Sequence, residues 1–155
     1  LIHRNGKGII VLVNKWDLVE KDNNATVKFE KEIREKTAPF TDYHVLFISA
    51  TEKQRIFRIP ELVDKVYASR SMKIPTPKLN EVMLEAARIN PPPTAKGKNI
   101  KIKYVTQLPT AIPSFAFFCN FPEYIKEQYK RYVENRMREK FKFSGVPIRI
   151  FFRKK

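Results

Sequence analysis

The sequence predicts an α/β segment followed by an α+β segment, and three observations carry that prediction. Residues 1–74 read as strand, helix, strand, helix, and both strands end in polar motifs. Residues 75–155 read as helix, strand, strand, helix, strand. Between them Ile74-Pro75-Thr76-Pro77 removes two backbone donors and disfavours helix before each proline. The charge changes at the same place: residues 1–75 carry 14 basic and 10 acidic side chains, residues 76–155 carry 17 and 6. Two domains, 1–74 and 75–155, are expected, with most of any polyanion-binding surface on the second.

Ile9 to Val13 is an unbroken aliphatic run, β-branched at four of five positions. It reads as a strand covered on both faces in a parallel sheet. It runs directly into Asn14-Lys15-Trp16-Asp17. After Asn23-Asn24 the spacing predicts a helix over 25–37, with Phe29, Ile33 and Thr26 on its inner face. A second strand, Val45 to Ile48, ends at Ser49-Ala50. A helix over 60–71 buries Leu62, Val63, Val66 and Tyr67, with Pro60 suited to its first turn. This is the order of a doubly wound sheet, which binds ligands at strand carboxyl ends, where both polar motifs lie.

Asn-Lys-x-Asp beyond a buried strand can hold three different side chains around one planar base. The Asp17 carboxylate suits the donors at guanine N1 and the exocyclic amine, a pair that adenine lacks. The Asn14 amide can meet the N7 and O6 edge or brace the neighbouring loop. The Lys15 stem can lie over the ring with its ammonium near the ribose oxygen. Backbone N–H groups of Ser49 and Ala50 could approach O6 and reject a base with an amine there. Such a site discriminates because the wrong base leaves polar groups unpaired. A plain surface turn would share the four-residue pattern, but not the aliphatic strand before it or the second strand ending in Ser-Ala.

Asn14-Lys15-Trp16-Asp17-Leu18 and Ser49-Ala50 resemble the two guanine-recognition motifs of the translation-factor-related GTPases. The run Gly8-Ile9-Ile10-Val11-Leu12-Val13 leading into them is most similar to the second G domain of the bacterial tandem GTPases of the Der (EngA) family. That family's Ser-Ala loop usually continues with small residues, whereas Thr51-Glu52-Lys53-Gln54 follows here. A GTPase also needs a Gly-x-x-x-x-Gly-Lys-Ser/Thr loop to cradle the phosphates and place magnesium. None of the four glycines, Gly6, Gly8, Gly97 and Gly145, sits in that pattern, and no Asp-x-x-Gly occurs. The expected fold is therefore a partial doubly wound P-loop GTPase-type domain without its phosphate-binding half. GTP or GDP is the implied ligand, with Mg2+ only in the intact protein and through residues outside this chain. The chain alone is expected to hydrolyse no GTP.

In the second segment Leu79, Val82, Met83, Ala86 and Ala87 recur at helical spacing over 77–89, and Asn90-Pro91-Pro92-Pro93 ends that helix. Ile100, Ile102 and Tyr104 alternate with Lys101, Lys103 and Val105, the pattern of a half-buried strand with an outer lysine face. Phe115, Phe117 and Cys119 alternate in the next strand. Pro122 opens a helix expected to run to about Lys140, with Ile125, Tyr129, Tyr132 or Val133, Met137 and Phe141 on its inner side. Val146, Ile148, Ile150 and Phe152 form the last strand.

This order, a three-stranded sheet backed by helices, resembles the KH-like domain that ends Der proteins. The resemblance rests on Lys78-Leu79-Asn80-Glu81, on the run Lys98 to Tyr104, on Thr106-Gln107, on the run Tyr129 to Asn135 with Arg138-Glu139, and on the run Phe143 to Arg149. RNA-binding KH modules clamp four nucleotides with a Gly-x-x-Gly loop, which is absent here. The resemblance instead implies a degenerate module that contacts ribosomal RNA in large-subunit assembly and packs against G-domain portions in cis. Phosphate contacts are expected from Lys101, Lys103, Lys126, Lys130, Arg131, Arg149, Arg153, Lys154 and Lys155, giving salt-sensitive affinity with little sequence preference. A solubilising basic face is the plain alternative. Phe115, Phe117, Phe141, Phe143, Phe151 and Phe152 could stack on bases, but their alternation favours core packing, whereas Phe118 adds apolar surface on the other side of its strand. Tyr104, Tyr129 and Tyr132 are expected to be more open.

The whole chain of 155 residues has a net charge of +15 and 43% hydrophobic residues, which excludes a disordered basic tail and predicts a polyanionic partner. A single cysteine, Cys119, excludes an internal disulfide and is expected in the core. His3 and His44 lack Cys or carboxylate partners at ligand spacing, so no metal or catalytic histidine is expected. No apolar run approaches a membrane span, and a soluble, cytoplasmic protein is expected. Two alternatives to a GTP-binding assembly factor stay open. One is a non-enzymatic rRNA-binding module with a decayed nucleotide pocket, and the other is an intramolecular docking domain for an acidic G domain.

Overall fold

The computed structural model describes residues 2, 4–20 and 24–155, so His3 and Asn23 lie outside the described residues. The chain divides into two compact units, Leu1–Arg70 with Phe143–Pro147, and Ser71–Lys142 with Ile148–Lys155.

In the first unit, β1 (Ile10–Val13) pairs in parallel with β2 (His44–Phe47), Ile10 opposite His44 and Val13 opposite Phe47. The Ile48 N–H donates to the Val13 carbonyl (2.8 Å) and the Trp16 N–H to the Ile48 carbonyl (3.0 Å), so the two chains stay bound just past the strands. Trp16, Ala25 and Phe47 form a small core with Val13, Val19 and Val45 packed on it. The Trp16 ring meets Phe29 edge-on at 5.4 Å and Phe47 at 4.4 Å. Helix α1 (Ala25–Thr37) covers the predicted range but turns Ala25 inward, not Thr26: Ala25 joins the buried cluster of Trp16 and Phe47 and Thr26 is exposed. β1 is not covered on both faces: Leu12 stays 41% exposed, so no element of the described residues covers the face to which it points.

Helix α2 (Arg58–Ser71) starts two residues earlier than the proline suggested. Val66 is buried, whereas Val63 and Tyr67 face solvent, Tyr67 at 70% exposure. The buried stripe runs through Ile59, Leu62 and Val66, and a residue one position beyond Leu62 or Val66 is turned about 100° away from it. Val66 lies against two glycines. A Cβ at Gly8 would come within 2.6 Å of its Cγ1, and one at Gly145 within 2.8 Å of its Cγ2 and 2.9 Å of the Ile9 carbonyl oxygen. Gly145 has φ 76°, accepts the Ile9 N–H at 2.7 Å and donates to the Asp42 carbonyl at 2.8 Å. The segment Phe143–Pro147 is thereby sewn into this unit.

In the second unit, α3 (Thr76–Ile89), β3 (Ile102–Leu108), β4 (Ser114–Cys119), α4 (Glu127–Phe141) and β5 (Arg149–Lys154) follow in that order. The sheet order is β3-β4-β5, antiparallel at the first pair and parallel at the second. Leu79 and Met83 of α3 and Val133 and Met137 of α4 are buried, as are Phe115, Phe117, Cys119 and Val105 of the sheet. Burial pushes the Cys119 thiol above its usual range, as a core cysteine requires.

Several expectations are corrected here. The β3 alternation breaks at a bulge between Ile102 and Tyr104, where Lys103 is the extra residue, so Val105 turns into the core and not outward with the lysines. The single helix from Pro122 is two pieces. Pro122–Tyr124 makes one 3-10 turn, Ile125 and Lys126 are extended, and α4 begins at Glu127. The last strand starts at Arg149, not Val146, because the left-handed Gly145 and the donorless Pro147 precede it, and it continues past Phe152 to Lys154. Tyr129 is buried, not open. Its hydroxyl donates to the Asn90 carbonyl (3.0 Å) and that of Tyr132 to the Ala86 carbonyl (2.9 Å), satisfying carbonyls at the end of α3.

Three side-chain amides hold backbone groups that no strand pairs among the described residues. Asn80 donates to the Val105 carbonyl and accepts its N–H, at 2.7 and 2.8 Å, closing part of the free edge of β3. Gln107 donates to the Met72 carbonyl and accepts the Ile74 N–H, both at 2.8 Å. Asn120 accepts the Lys101 N–H and donates to the Asn99 carbonyl, both at 2.9 Å.

Candidate functional site

The two polar motifs of the first unit meet. Buried Trp16 anchors the 3-10 turn Trp16–Leu18, which Lys15 enters with φ 59° and closes by accepting the Leu18 N–H at 3.1 Å. Lys15 is exposed on one side of this anchor and Asp17 half-buried on the other. Asn14 Oδ1 accepts the Ala50 N–H at 3.1 Å, tying the end of β1 to the loop after β2. Of the two tasks open to Asn14, the structure shows the brace.

The second loop closes on itself. Fully buried Ser49 donates its N–H to the Gln54 carbonyl (3.2 Å), accepts the Gln54 N–H (2.9 Å), and receives the Glu52 N–H on Oγ (3.1 Å). Both N–H groups expected at O6 are therefore engaged, Ser49 with Gln54 and Ala50 with Asn14. Asp17 is the contrast. Its Oδ1 is inaccessible to solvent and has no hydrogen-bond partner. A buried carboxylate oxygen without a donor is costly, and a purine edge bearing an N–H pair would relieve it once the turn opens enough to expose that oxygen. The residues fit a guanine base in that respect. A depression of about 550 Å³ lies elsewhere, along α1, lined by Val27, Glu30, Arg34, Ala38 and Thr41. Among the described residues no group of three His, Cys, Asp or Glu is placed to hold a metal ion.

The basic residues of the second unit fall into three places. Lys101, Lys103 and Arg153 gather, with Lys154 and Lys155, where β3 begins and β4 and β5 end, because Ile102 and Lys154 both pair with Cys119. Arg149 sits at the opposite end of the sheet, across from Ser114. Lys126, Lys130 and Arg131 belong to the start of α4, where Lys130 pairs with Glu127. Two further lysines lie over aromatic rings. Ala95 and Lys98 exchange both hydrogen bonds across a two-residue turn in which Lys96 and Gly97 have φ 50° and 70°. This holds Lys98 Nζ 4.7 Å over the Phe121 ring and Lys96 Nζ 5.6 Å over that of Tyr124. The Lys-Gly pair between strand-like residues was the available signal for that turn.

Residues 73–153 match the family model described as the KH-domain-like, C-terminal domain of EngA bacterial GTPase enzymes. The chain belongs to the EngA, or Der, family. It is 59% identical over 156 residues to the GTPase Der of Porphyromonas gingivalis, 54% over 155 to that of Christiangramia forsetii, and 55% over 157 to that of Phocaeicola vulgatus. Each match covers all of this chain and 36% of the relative, so the chain spans about a third of the length of these EngA-family proteins. The matched residues include both helices of the second unit and all of its sheet but Lys154. No helix among the described residues is long and apolar enough to cross a membrane.

Proposed function

We propose that the chain is the carboxyl-terminal third of a cytoplasmic GTPase that acts in assembly of the large ribosomal subunit. In this reading residues 1–74 are the guanine-recognition half of its second G domain, and residues 75–155 a KH-like domain that contacts ribosomal RNA. The observation that carries it is the partnerless, buried Asp17 Oδ1 beside a loop braced by Asn14. Asp17 takes the N1 and amine donors of guanine, Lys15 covers the base, and Ala50 reaches O6 once its N–H leaves Asn14. The parallel β1–β2 pair and the solvent-facing Leu12, Val63 and Tyr67 support the reading, since a doubly wound sheet with further strands and helices would cover them. Phosphate and Mg2+ ligands would come from residues outside this chain, which by itself hydrolyses no GTP.

The test is GDP binding by the longer protein, parent against Asp17→Asn. Two charge-assisted hydrogen bonds are worth about 3 kcal/mol together, so GDP affinity should fall about 100-fold. Xanthosine diphosphate, which offers an acceptor where guanine has its amine, should gain affinity. Unchanged base preference removes Asp17 from the site and leaves the RNA-binding module with a decayed pocket as the standing reading.

A further inference from the structure

The face of the β3-β4-β5 sheet turned away from the helices is not lined like the other. Phe152 rings with Tyr129 of α4 (6.4 Å) and with Phe117 (5.3 Å), which fixes the helix side. The opposite side follows from the register. Tyr104, Phe118 and Arg153 are direct neighbours across the three strands, and next to them Thr106, Ala116 and Phe151. Tyr104 and Phe118 are stacked at 4.4 Å with planes 10° apart, and Lys155 Nζ sits 5.3 Å over the Tyr104 ring. Phe151 is 40% exposed, with the Arg153 guanidinium 5.9 Å from its centroid. Ala116 and Ser114, in the middle strand of this face, are buried, so what the face offers a ligand is exposed Phe151 and the half-buried Tyr104 and Phe118 with the cations beside them. The last row, Leu108, Ser114 and Arg149, adds another cation, and no carboxylate occurs in these rows.

We infer that this face is a stacking platform for single-stranded RNA: one base lies on Phe151, another extends the Tyr104–Phe118 stack, and Arg153 and Lys155 meet the flanking phosphates. This rests on the reading of the second unit as an RNA-contacting module and adds what that reading lacks, a surface that engages bases. The charge favours a polyanion, with 17 basic against 6 acidic side chains in residues 76–155. Exposed Phe151 and the half-buried Tyr104–Phe118 pair favour unpaired bases, because a duplex hides its base faces. Cations already held over aromatic rings lose less freedom when a phosphate arrives. Phe151 is thus an exception to the core role expected of it, and Phe118 lies on the far side of β4, as the alternation of that strand predicts.

The experiment is fluorescence anisotropy of labelled ten-nucleotide single-stranded RNA with this 155-residue chain, against a duplex of the same sequence and against polyglutamate as competitor. Tyr104→Ala and Phe151→Ala should each weaken single-strand binding about ten-fold. Neither should change the salt dependence, whereas Arg153→Gln should lower its slope. Phe151→Leu keeps an apolar side chain at the site and removes the ring face. It should behave as Phe151→Ala with an unchanged melting temperature, which separates stacking from folding. Binding that persists unaltered in both ring variants overturns the platform while leaving phosphate-only RNA binding in place. A preference for duplex, or displacement by polyglutamate at equal charge, also overturns it. No RNA binding by the parent chain overturns both the platform and the RNA reading beneath it.

Discussion

Asn80 does with one side chain what a neighbouring strand would do for β3, and its amide also donates to the Thr76 carbonyl at 2.8 Å. Asn80→Ala leaves the Val105 N–H and carbonyl without these partners and should cost about 1–3 kcal/mol in chemical denaturation. Asn80→Asp should cost more, since a carboxylate cannot donate to either carbonyl. Tyr129 makes a pH prediction. Burial, and secondarily Tyr132, raises its phenol well above the ordinary value. The unfolded chain therefore releases that proton first, and the stability it carries is intact below pH about 10 and lost as pH rises beyond it. Denaturation of Tyr129→Phe should show a shallower alkaline decline than the parent and a lower plateau near neutrality, by about 1 kcal/mol for the lost bond to Asn90. At this scale the candidate nucleotide residues were legible because an amide, an ammonium stem and a carboxylate at fixed spacing state their chemistry. Asn80 and Gln107 stood within motifs quoted for the resemblance, yet their tasks were not legible. Their partners are backbone groups 25 to 35 residues away, and no local pattern announces those.

At the level of elements, periodicity located the four α-helices and five strands of the described residues but neither 3-10 turn, and the ends and the facing failed wherever one residue broke the period. Lys103 inserts into β3 and reverses Val105; Ile125 stays extended and splits a predicted helix; Gly145 and Pro147 delay β5. The glycines also yield a prediction that sequence reading did not reach, because the Val66–Gly8–Gly145 cluster joins three remote parts of the chain. Gly8→Ala meets only the Val66 side chain at short range, so Val66→Ala in the same chain should largely rescue it. Gly145→Ala meets the Ile9 carbonyl and occupies a left-handed backbone as well, a combined cost of about 2–4 kcal/mol that Val66→Ala should relieve only in part. A double-mutant cycle on melting curves reads the difference directly. Equal rescue at both glycines would mean that the Val66 methyls alone set the spacing there.

For the molecule as a whole, charge decides between partners where fold does not. A net charge of +15 attracts any polyanion, but an acidic protein and an RNA strand respond differently to salt and to where charge is removed. RNA binding releases condensed counterions, with a slope in log affinity against log salt of about −0.7 for each phosphate contacted in a single strand. Five contacts through the cations gathered where β3 begins and β5 ends would give a slope near −3.5, or about a 100-fold loss between 50 and 200 mM salt. Neutralising Lys101, Lys103 or Lys154 to Gln should each reduce that slope by about 0.7. Lys28→Gln on α1, which carries no expected RNA contact, should leave it unchanged. The docking alternative predicts the opposite pattern: RNA affinity already weak at 50 mM, a slope near zero, and no ranking among these substitutions. Titrating the chain into a homopolymer at four salt concentrations separates the two, because the slope counts phosphates without reference to how tightly any one variant binds.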